Sequence, residues 1–225
     1  AKVVKTKVKG RVVDVWIRAV DPETGRQFWE LETSIAPLSF SVTDNGVVFH
    51  DGKQIVCLDT KSGELHWKSE LVLLDSVIPT SVTPTLVQYK DVVLFIGGDD
   101  QPGYRGGFGH YVAKNLRTFT AISAKDGEPL WTYKIPPMTT GFETPKDILV
   151  LDNLVWLGSI WDNNSDGAWT GRDLHTGEIV REFKPPWDLY WFHQRCYRSR
   201  ATERYLIPSR TGIEFINAKD GYTSH

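Results

Sequence analysis

The sequence predicts an all-β fold of four-stranded antiparallel blades, which is a β-propeller, and two observations support this prediction. A turn motif recurs five times along the 225 residues, and a second hairpin pattern precedes it. Repeats of roughly 40 residues that each hold four strands are typical of propellers. About four to five blades fit into residues 1–225, which we treat as a single propeller region.

The turn motif consists of a strand end, an Asp or Asn, a short polar link, a glycine and a second strand that often contains Trp. Its glycines are Gly25, Gly63, Gly127, Gly177 and Gly221, at steps of 38, 64, 50 and 44 residues. Insertions explain the longer steps. An Asp side chain can bind the turn backbone, and glycine can adopt the positive φ of a tight turn. Each copy is therefore predicted to be a hairpin.

A second hairpin is predicted before the motif, because residues 46–56 consist of a strand, an Asp51-Gly52 turn and another strand. Two hairpins make one blade. Blade ends are expected near Trp29, Trp67, Trp131 and Val180, and we expect the three tryptophans to be buried at equivalent positions, each packed on the neighbouring blade.

The hairpin motif, as in Ala19–Trp29, resembles the last hairpin of a blade in the PQQ-repeat (quinoprotein-like) family. This resemblance implies a ring of seven or eight blades and a periplasmic or extracellular location. The chain is then expected to be part of a longer propeller, because its last repeat stops directly after its turn. Another chain, or the remainder of the propeller, is the expected partner, since open edge strands tend to pair.

Composition and charge exclude several classes of protein. A hydrophobic share of 40% indicates a chain that can bury a core, and the net charge of -2 gives no overall attraction to nucleic acid. The longest apolar runs are far shorter than the roughly 20 residues of a membrane-spanning helix. Cys57 and Cys196 are expected to be free cysteines within strands, with a disulfide as the alternative.

The first departure from the plain repeat is a glycine-rich segment, residues 97–110. No Gly-Lys-Ser/Thr sequence follows it, and the next residues alternate like a strand, so it is not a phosphate-binding P-loop. We expect a loop between strands, and a lid over a ligand is the alternative.

The second departure resembles a calcium-binding loop. Oxygen-bearing side chains at alternate positions can converge on one hard cation. The candidate ligands are Asp162, Asn164, Asp166 and Asp173. Asp173 stands where a bidentate Glu is usual, and the same residue types favour turns, so a metal-free turn is the alternative.

The third departure is an arginine-rich and aromatic segment, residues 187–215. Its sequence is similar to a stretch found in large PQQ-like repeat proteins of planctomycete-type bacteria. Guanidinium groups beside aromatic rings suit acidic ligands or sugars, whereas a structural role would pair them with blade carbonyls and carboxylates. We expect at least two guanidinium groups to share a cavity. The candidate ligand-binding residues are His193, Arg195, Cys196, Arg198, Arg204 and Arg210.

Two functions are compatible with these residues. The first is a non-catalytic ligand-binding or protein-assembly propeller, with an anionic glycan or small molecule as a further candidate ligand. The second is a fragment of a quinoprotein-type oxidoreductase, with calcium as cofactor and an acidic or carbohydrate substrate. The sequence lacks catalytic triad, zinc-protease and haem-attachment motifs, and it lacks the vicinal cysteines of many quinoproteins, which argues against bound pyrroloquinoline quinone. The sequence therefore favours the binding function.

Overall fold

The structure is a computed structural model that describes residues 4–9, 12–36, 38–74, 86–97, 104–105, 111–112, 117–135, 148–158, 161–162, 165–166, 168–184, 199–207 and 215–223. Every regular element in these ranges is a β-strand, which confirms the all-β prediction. Within the same ranges there is no helix that could cross a membrane.

The strands are numbered in chain order. They are β1 (Val4–Lys9), β2 (Val12–Val20), β3 (Gln27–Ile35), β4 (Phe40–Thr43), β5 (Gly46–His50), β6 (Gln54–Leu58), β7 (Leu65–Leu71), β8 (Leu86–Tyr89), β9 (Val92–Gly97), β10 (Tyr104–Arg105), β11 (Tyr111–Val112), β12 (Arg117–Ser123), β13 (Pro129–Ile135), β14 (Leu149–Leu151), β15 (Leu154–Gly158), β16 (Trp161–Asp162), β17 (Ser165–Asp166), β18 (Trp169–Asp173), β19 (Ile179–Phe183), β20 (Arg200–Ala201), β21 (Tyr205–Ile207), β22 (Phe215–Asn217) and β23 (Gly221–Thr223).

The strands form five blade-like antiparallel sheets among the described residues. Sheet 1 contains β1, β2 and β3, and sheet 2 contains β4 to β7. Sheet 3 contains β8, β9, β12 and β13, sheet 4 contains β14, β15, β18 and β19, and sheet 5 contains β20 to β23. Two short hairpins, β10–β11 and β16–β17, are additional. The predicted four-stranded antiparallel blades are thus confirmed in sheets 2 to 5.

The chain divides into two compact units. Unit 1 comprises residues 1–78, 84–101 and 117–134, and unit 2 comprises residues 79–83, 102–116 and 135–225. In unit 1, β5 is buried on both faces, because Val47 and Phe49 pack toward sheet 1 while Val48 packs toward sheet 3. In unit 2, Trp156 and Leu206 belong to a core that joins sheets 4 and 5.

The repeat turns have the predicted conformation. All five repeat glycines have positive φ, from 71° at Gly25 to 95° at Gly221. In the turn of sheet 2, Asp59 Oδ1 accepts hydrogen bonds from the backbone amides of Lys61 and Ser62, at 2.9 and 2.6 Å. The local sequence therefore builds the turn, since the carboxylate satisfies amides that no strand pairs.

The tryptophan of one sheet lies over the turn glycine of the next sheet. Trp29 Nε1 donates to the Thr60 carbonyl at 3.0 Å, and Trp67 Nε1 donates to the Ala124 carbonyl at 2.9 Å. A Cβ atom on Gly63 would lie 2.6 Å from the Trp29 ring. Only glycine therefore leaves room for the indole.

The burial of the tryptophans differs from the expectation. Trp67 is buried, but Trp29 and Trp131 are only partly buried. Because Trp29 packs across an exposed turn, part of its ring stays in contact with solvent. Trp131 stacks on Phe119, with ring centroids 5.5 Å apart.

Between sheets 4 and 5, two residues take over the role of the tryptophan. Arg181 stands four residues after Gly177, as Trp29 does after Gly25, and its Nη1 donates to the Ala218 carbonyl at 2.8 Å. The Phe183 ring lies over Gly221, 3.2 Å from the position of a Cβ atom there. The hydrogen bond and the aromatic contact are thus divided between two side chains.

We predict that Gly63→Ala destabilises the protein more than Gly25→Ala. Both glycines have positive φ, so each substitution costs about 1 kcal/mol for a left-handed alanine. Only the Gly63 methyl group would meet an indole, and such overpacking costs a further ~1–3 kcal/mol. Urea unfolding of the two variants measures the difference. Equal losses would show that Trp29 does not pack tightly on this turn.

Candidate functional site

Each four-stranded sheet has two ends with different connections. At the turn edge, short turns join the first strand to the second and the third to the fourth. At the connection edge, loops join the second strand to the third, and the last strand leads on to the next sheet. In sheet 4, the connection edge carries Gly158, Trp169 and Phe183, and the turn edge carries the turn after Asp173.

The long connections within sheets 3 and 4 both join the second strand to the third, at the connection edge. In sheet 2, the second and third strands are joined by the tight turn Asp51-Gly52-Lys53. In sheet 3, the equivalent connection runs over residues 98–116, and in sheet 4 it runs over residues 159–168. Loops carried by a rigid β-scaffold are the usual place for binding residues. The connection edge of sheets 4 and 5, within unit 2, is therefore the candidate site.

Aromatic packing fixes the connection edge of sheet 4. Trp169 pairs across the sheet with both Gly158 and Phe183. Trp156 is fully buried, covers Gly171 and stacks on Phe183 at a centroid distance of 5.6 Å. Glycine opposite each tryptophan makes room for the ring on one face of the sheet. The segments that leave at Gly158 and Phe183 therefore start from closely packed strand ends.

Of the four candidate calcium ligands, the structure describes the side-chain contacts of Asp173 alone. The β16–β17 hairpin places Asp162 opposite Ser165 and Trp161 opposite Asp166. Asn164 lies outside the described residues. Asp173 lies at the far end of β18 from this hairpin, about 13 Å along the strand from Trp169.

Asp173 has the same role as the other repeat aspartates. Its Oδ1 accepts hydrogen bonds from the backbone amides of His175 and Thr176, both at 2.9 Å. The Thr176 and His175 amides lower the pKa of this carboxyl group, because they stabilise its charged form. It remains a prediction that calcium is bound by Asp162, Asn164 and Asp166. Among the described residues, no group of three or more His, Cys, Asp or Glu side chains is placed to hold a metal ion.

The arginine-rich segment, residues 187–215, follows β19 of sheet 4 and includes β20 and β21 of sheet 5. Its candidate residues His193, Arg195, Cys196, Arg198 and Arg210 lie outside the described residues, so a shared cavity stays a prediction.

Arg204 is the candidate of this segment that the structure describes. It is exposed in the β20–β21 turn, at the turn edge, and its carbonyl accepts a hydrogen bond from the Ala218 amide at 3.0 Å. From Arg204, β21 runs from the turn edge to Ile207 at the connection edge.

His50 was not among the candidates from the sequence, but it is fully buried. Its Nε2 donates to the Val72 carbonyl at 2.7 Å, and its Nδ1 accepts from the Gly52 amide at 3.0 Å. The ring stacks on Phe95 at 4.9 Å. Burial lowers the pKa of His50, so the imidazole is neutral. Both ring nitrogens make hydrogen bonds with backbone groups. His50 therefore has a structural role and is not free to act as a base.

Cys57 is also part of the scaffold. It is a free, buried thiol in β6, as expected, and burial raises its pKa to about 11. A thiol with this pKa is protonated at neutral pH and is a poor nucleophile. Cys196 lies outside the described residues.

Comparisons with known proteins agree with the observed fold. A family model described as outer membrane protein assembly factor BamB matches residues 13–183. BamB from Moraxella catarrhalis is 18% identical, with a TM-score of 0.57, over 95% of this chain and 60% of that chain. No curated protein sequence matches.

Two enzymes share the fold. Quinohemoprotein alcohol dehydrogenase from Pseudomonas putida HK5 is 17% identical, with a TM-score of 0.51, over 95% of this chain and 40% of that chain. The enzyme from Comamonas testosteroni is 13% identical, with a TM-score of 0.50, over 97% of this chain and 40% of that chain. The present chain thus spans about 60% or less of these structures.

We predict that His50 makes stability fall as the pH is lowered through about 6.5. The folded protein keeps His50 neutral, whereas the unfolded chain binds a proton there, so the free energy of unfolding decreases with falling pH. Urea unfolding between pH 7.5 and 5.5 should show a shallower dependence for His50→Leu than for the wild type. An unchanged slope in His50→Leu would contradict the neutral state.

We also predict that Cys57 resists alkylation in the folded protein. Iodoacetamide reacts with thiolates, and Cys57 is both buried and protonated at pH 8. Peptide mass spectrometry should find Cys57 unmodified in buffer and modified in urea. Rapid modification of Cys57 in buffer would show that β6 opens readily.

Proposed function

The chain belongs to the family described as outer membrane protein assembly factor BamB, and on this basis we propose that it is a non-catalytic protein-assembly propeller. The proposed contact with its partner lies at the connection edge. There the chain departs from the plain repeat, in residues 159–168 and in the arginine-rich segment. This concentration of insertions at one edge is the observation that carries the proposal.

The strands and short turns support this proposal because their reactive groups already have structural roles. Asp59 and Asp173 bind turn amides, His50 binds two backbone groups, and Cys57 is a buried thiol. Arg181 binds a carbonyl of sheet 5. A partner is therefore best recognised by side chains on the long connections.

The chemistry of the arginine-rich segment indicates an acidic partner. Arg195, Arg198 and Arg210 each offer a planar fork of donors that matches a carboxylate. His193 and the aromatic residues around it add apolar contact area, as at protein interfaces. We propose that these residues bind acidic side chains on a protein partner. An anionic glycan also carries negative charges, and a separate titration tests whether it binds.

The alternative function, a quinoprotein-type oxidoreductase, would need calcium at Asp162, Asn164 and Asp166. Asp173 does not belong to such a set, because it lies at the turn edge and binds backbone amides. Calcium titration of the chain, followed by native mass spectrometry, tests this alternative.

We predict that the double substitution Arg195→Ala and Arg198→Ala weakens binding of a deca-glutamate peptide by at least about tenfold. Each lost charge-assisted hydrogen bond is worth roughly 1.5–3 kcal/mol. Fluorescence anisotropy of a labelled peptide measures the affinity, and salt should weaken the binding.

A matched control removes two exposed lysines at the turn edge, Lys61→Ala and Lys125→Ala, and should leave the affinity unchanged. If both double variants lose the same affinity for the peptide, the peptide binds through the overall positive charge of the protein and not through the arginine-rich segment. A parallel titration with chondroitin sulfate identifies a glycan-binding segment if it binds and the peptide does not.

A further inference from the structure

One hydrogen bond joins the first turns of sheets 2 and 3. Asn45 lies in the turn between β4 and β5, and its Nδ2 donates to the Lys90 carbonyl in the turn between β8 and β9, at 2.8 Å. Both residues belong to unit 1. Lys90 has a positive φ of 53°, which is uncommon for a residue with a side chain. Because a carbonyl can only accept a hydrogen bond, this contact requires the side-chain N–H of Asn45.

The residue after Asn45 must be glycine. Gly46 is buried, and a Cβ atom there would lie 2.6 Å from Cys57 Sγ and 2.9 Å from the Leu58 carbonyl oxygen. The Leu58 oxygen belongs to the backbone of β6, so it cannot move without disturbing the pairing of β5 with β6. Gly46 also has a φ of 146°, which disfavours a residue with a side chain. The hydrogen bond thus needs Asn at position 45, and the packing needs Gly at position 46.

Asn followed by Gly is a chemically labile pair. Asparagine is thermolabile because the next backbone nitrogen can attack its side-chain amide, and a glycine at that nitrogen has no side chain to hinder the attack. The sequence contains one Asn-Gly pair, Asn45-Gly46. Asn45 is exposed, so water reaches it. The fold therefore requires this labile pair at a contact between sheets 2 and 3.

We propose that Asn45 is a site of non-enzymatic deamidation, and that this reaction removes the hydrogen bond between the first turns of sheets 2 and 3. The Gly46 nitrogen attacks Cγ of Asn45, and the bond from Cγ to Nδ2 breaks. The leaving nitrogen takes the proton of the Gly46 amide and departs as ammonia. Water then opens the resulting cyclic imide to aspartate or isoaspartate. The proposal does not depend on the acidic partner proposed above.

The product cannot make the contact that Asn45 makes. A carboxylate has no N–H group, so its oxygens and the Lys90 carbonyl are both acceptors and repel each other. In isoaspartate, an additional backbone methylene group also lengthens the turn that pairs Thr43 with Gly46. Trp67 keeps its own hydrogen bond to sheet 3. The modification therefore separates the first turns of the two sheets and leaves the contact made by Trp67 in place.

Incubation of the chain in mildly alkaline buffer, followed by peptide mass spectrometry, tests the reaction. The peptide that contains Asn45 should gain the mass difference between an amide and a carboxyl group, in a fraction that rises with time. Asn153 and Asn217 precede Leu and Ala, so they should stay unmodified. The Asn45→Gln variant keeps an amide but would have to form a larger ring, so position 45 should stay unmodified. If Asn45 stays unmodified in buffer, whether or not it reacts in urea, the proposal is overturned.

Amide hydrogen exchange tests the consequence, with Asn45→Asp as a defined form of the product. Because one hydrogen bond is lost, exchange in the β4–β5 and β8–β9 turns should be about fivefold faster than in the wild type. The incubated protein should show the same increase in its modified fraction, whereas residues 149–158 of sheet 4 should keep their rates. Wild-type exchange in Asn45→Asp would show that the Asn45 amide does not hold the two turns together, and it would overturn the proposed effect of deamidation.

Discussion

The arrangement of neighbouring sheets depends on one contact, a side chain of the last strand placed over the turn glycine of the next sheet. The glycine has two roles in this contact. It permits the left-handed turn, and it leaves space for the ring of Trp29 or Trp67. The same turn presents the carbonyl that the indole N–H needs once it is partly buried. Local turn chemistry thus determines where two sheets meet.

Much of the fold could be predicted because the information is local. A turn such as Asp59 to Gly63 closes on itself, so five residues predict the hairpin. The junction between sheets 4 and 5 could not be predicted in this way. There the donor and the ring come from different residues, Arg181 and Phe183, and neither resembles the tryptophan of the motif. His50 was missed for a related reason, since one of its partners, Val72, lies 22 residues away.

The candidate site shows where proximity in sequence misleads. Asp173 fits both a calcium-like spacing and the repeat turn, and the strand pairing decides between them. β18 carries it to the turn edge, where two backbone amides bind its carboxylate. Arg204 belongs to the arginine-rich segment of the sequence, and it lies in the β20–β21 turn, at the turn edge. In a sheet of short strands, a few residues suffice to carry a side chain to the opposite end.

A propeller blade therefore separates the parts of the chain that hold the fold from the parts that can vary. Strand residues such as Val48 and Trp156 are packed on their neighbours, and a change there costs stability. Connections such as residues 98–116 or 159–168 can lengthen while the paired strands beside them keep their register. Because the scaffold constrains the chemistry of these connections so little, one fold can serve both an assembly factor and alcohol dehydrogenases. The function of a given chain must then be sought in its connections.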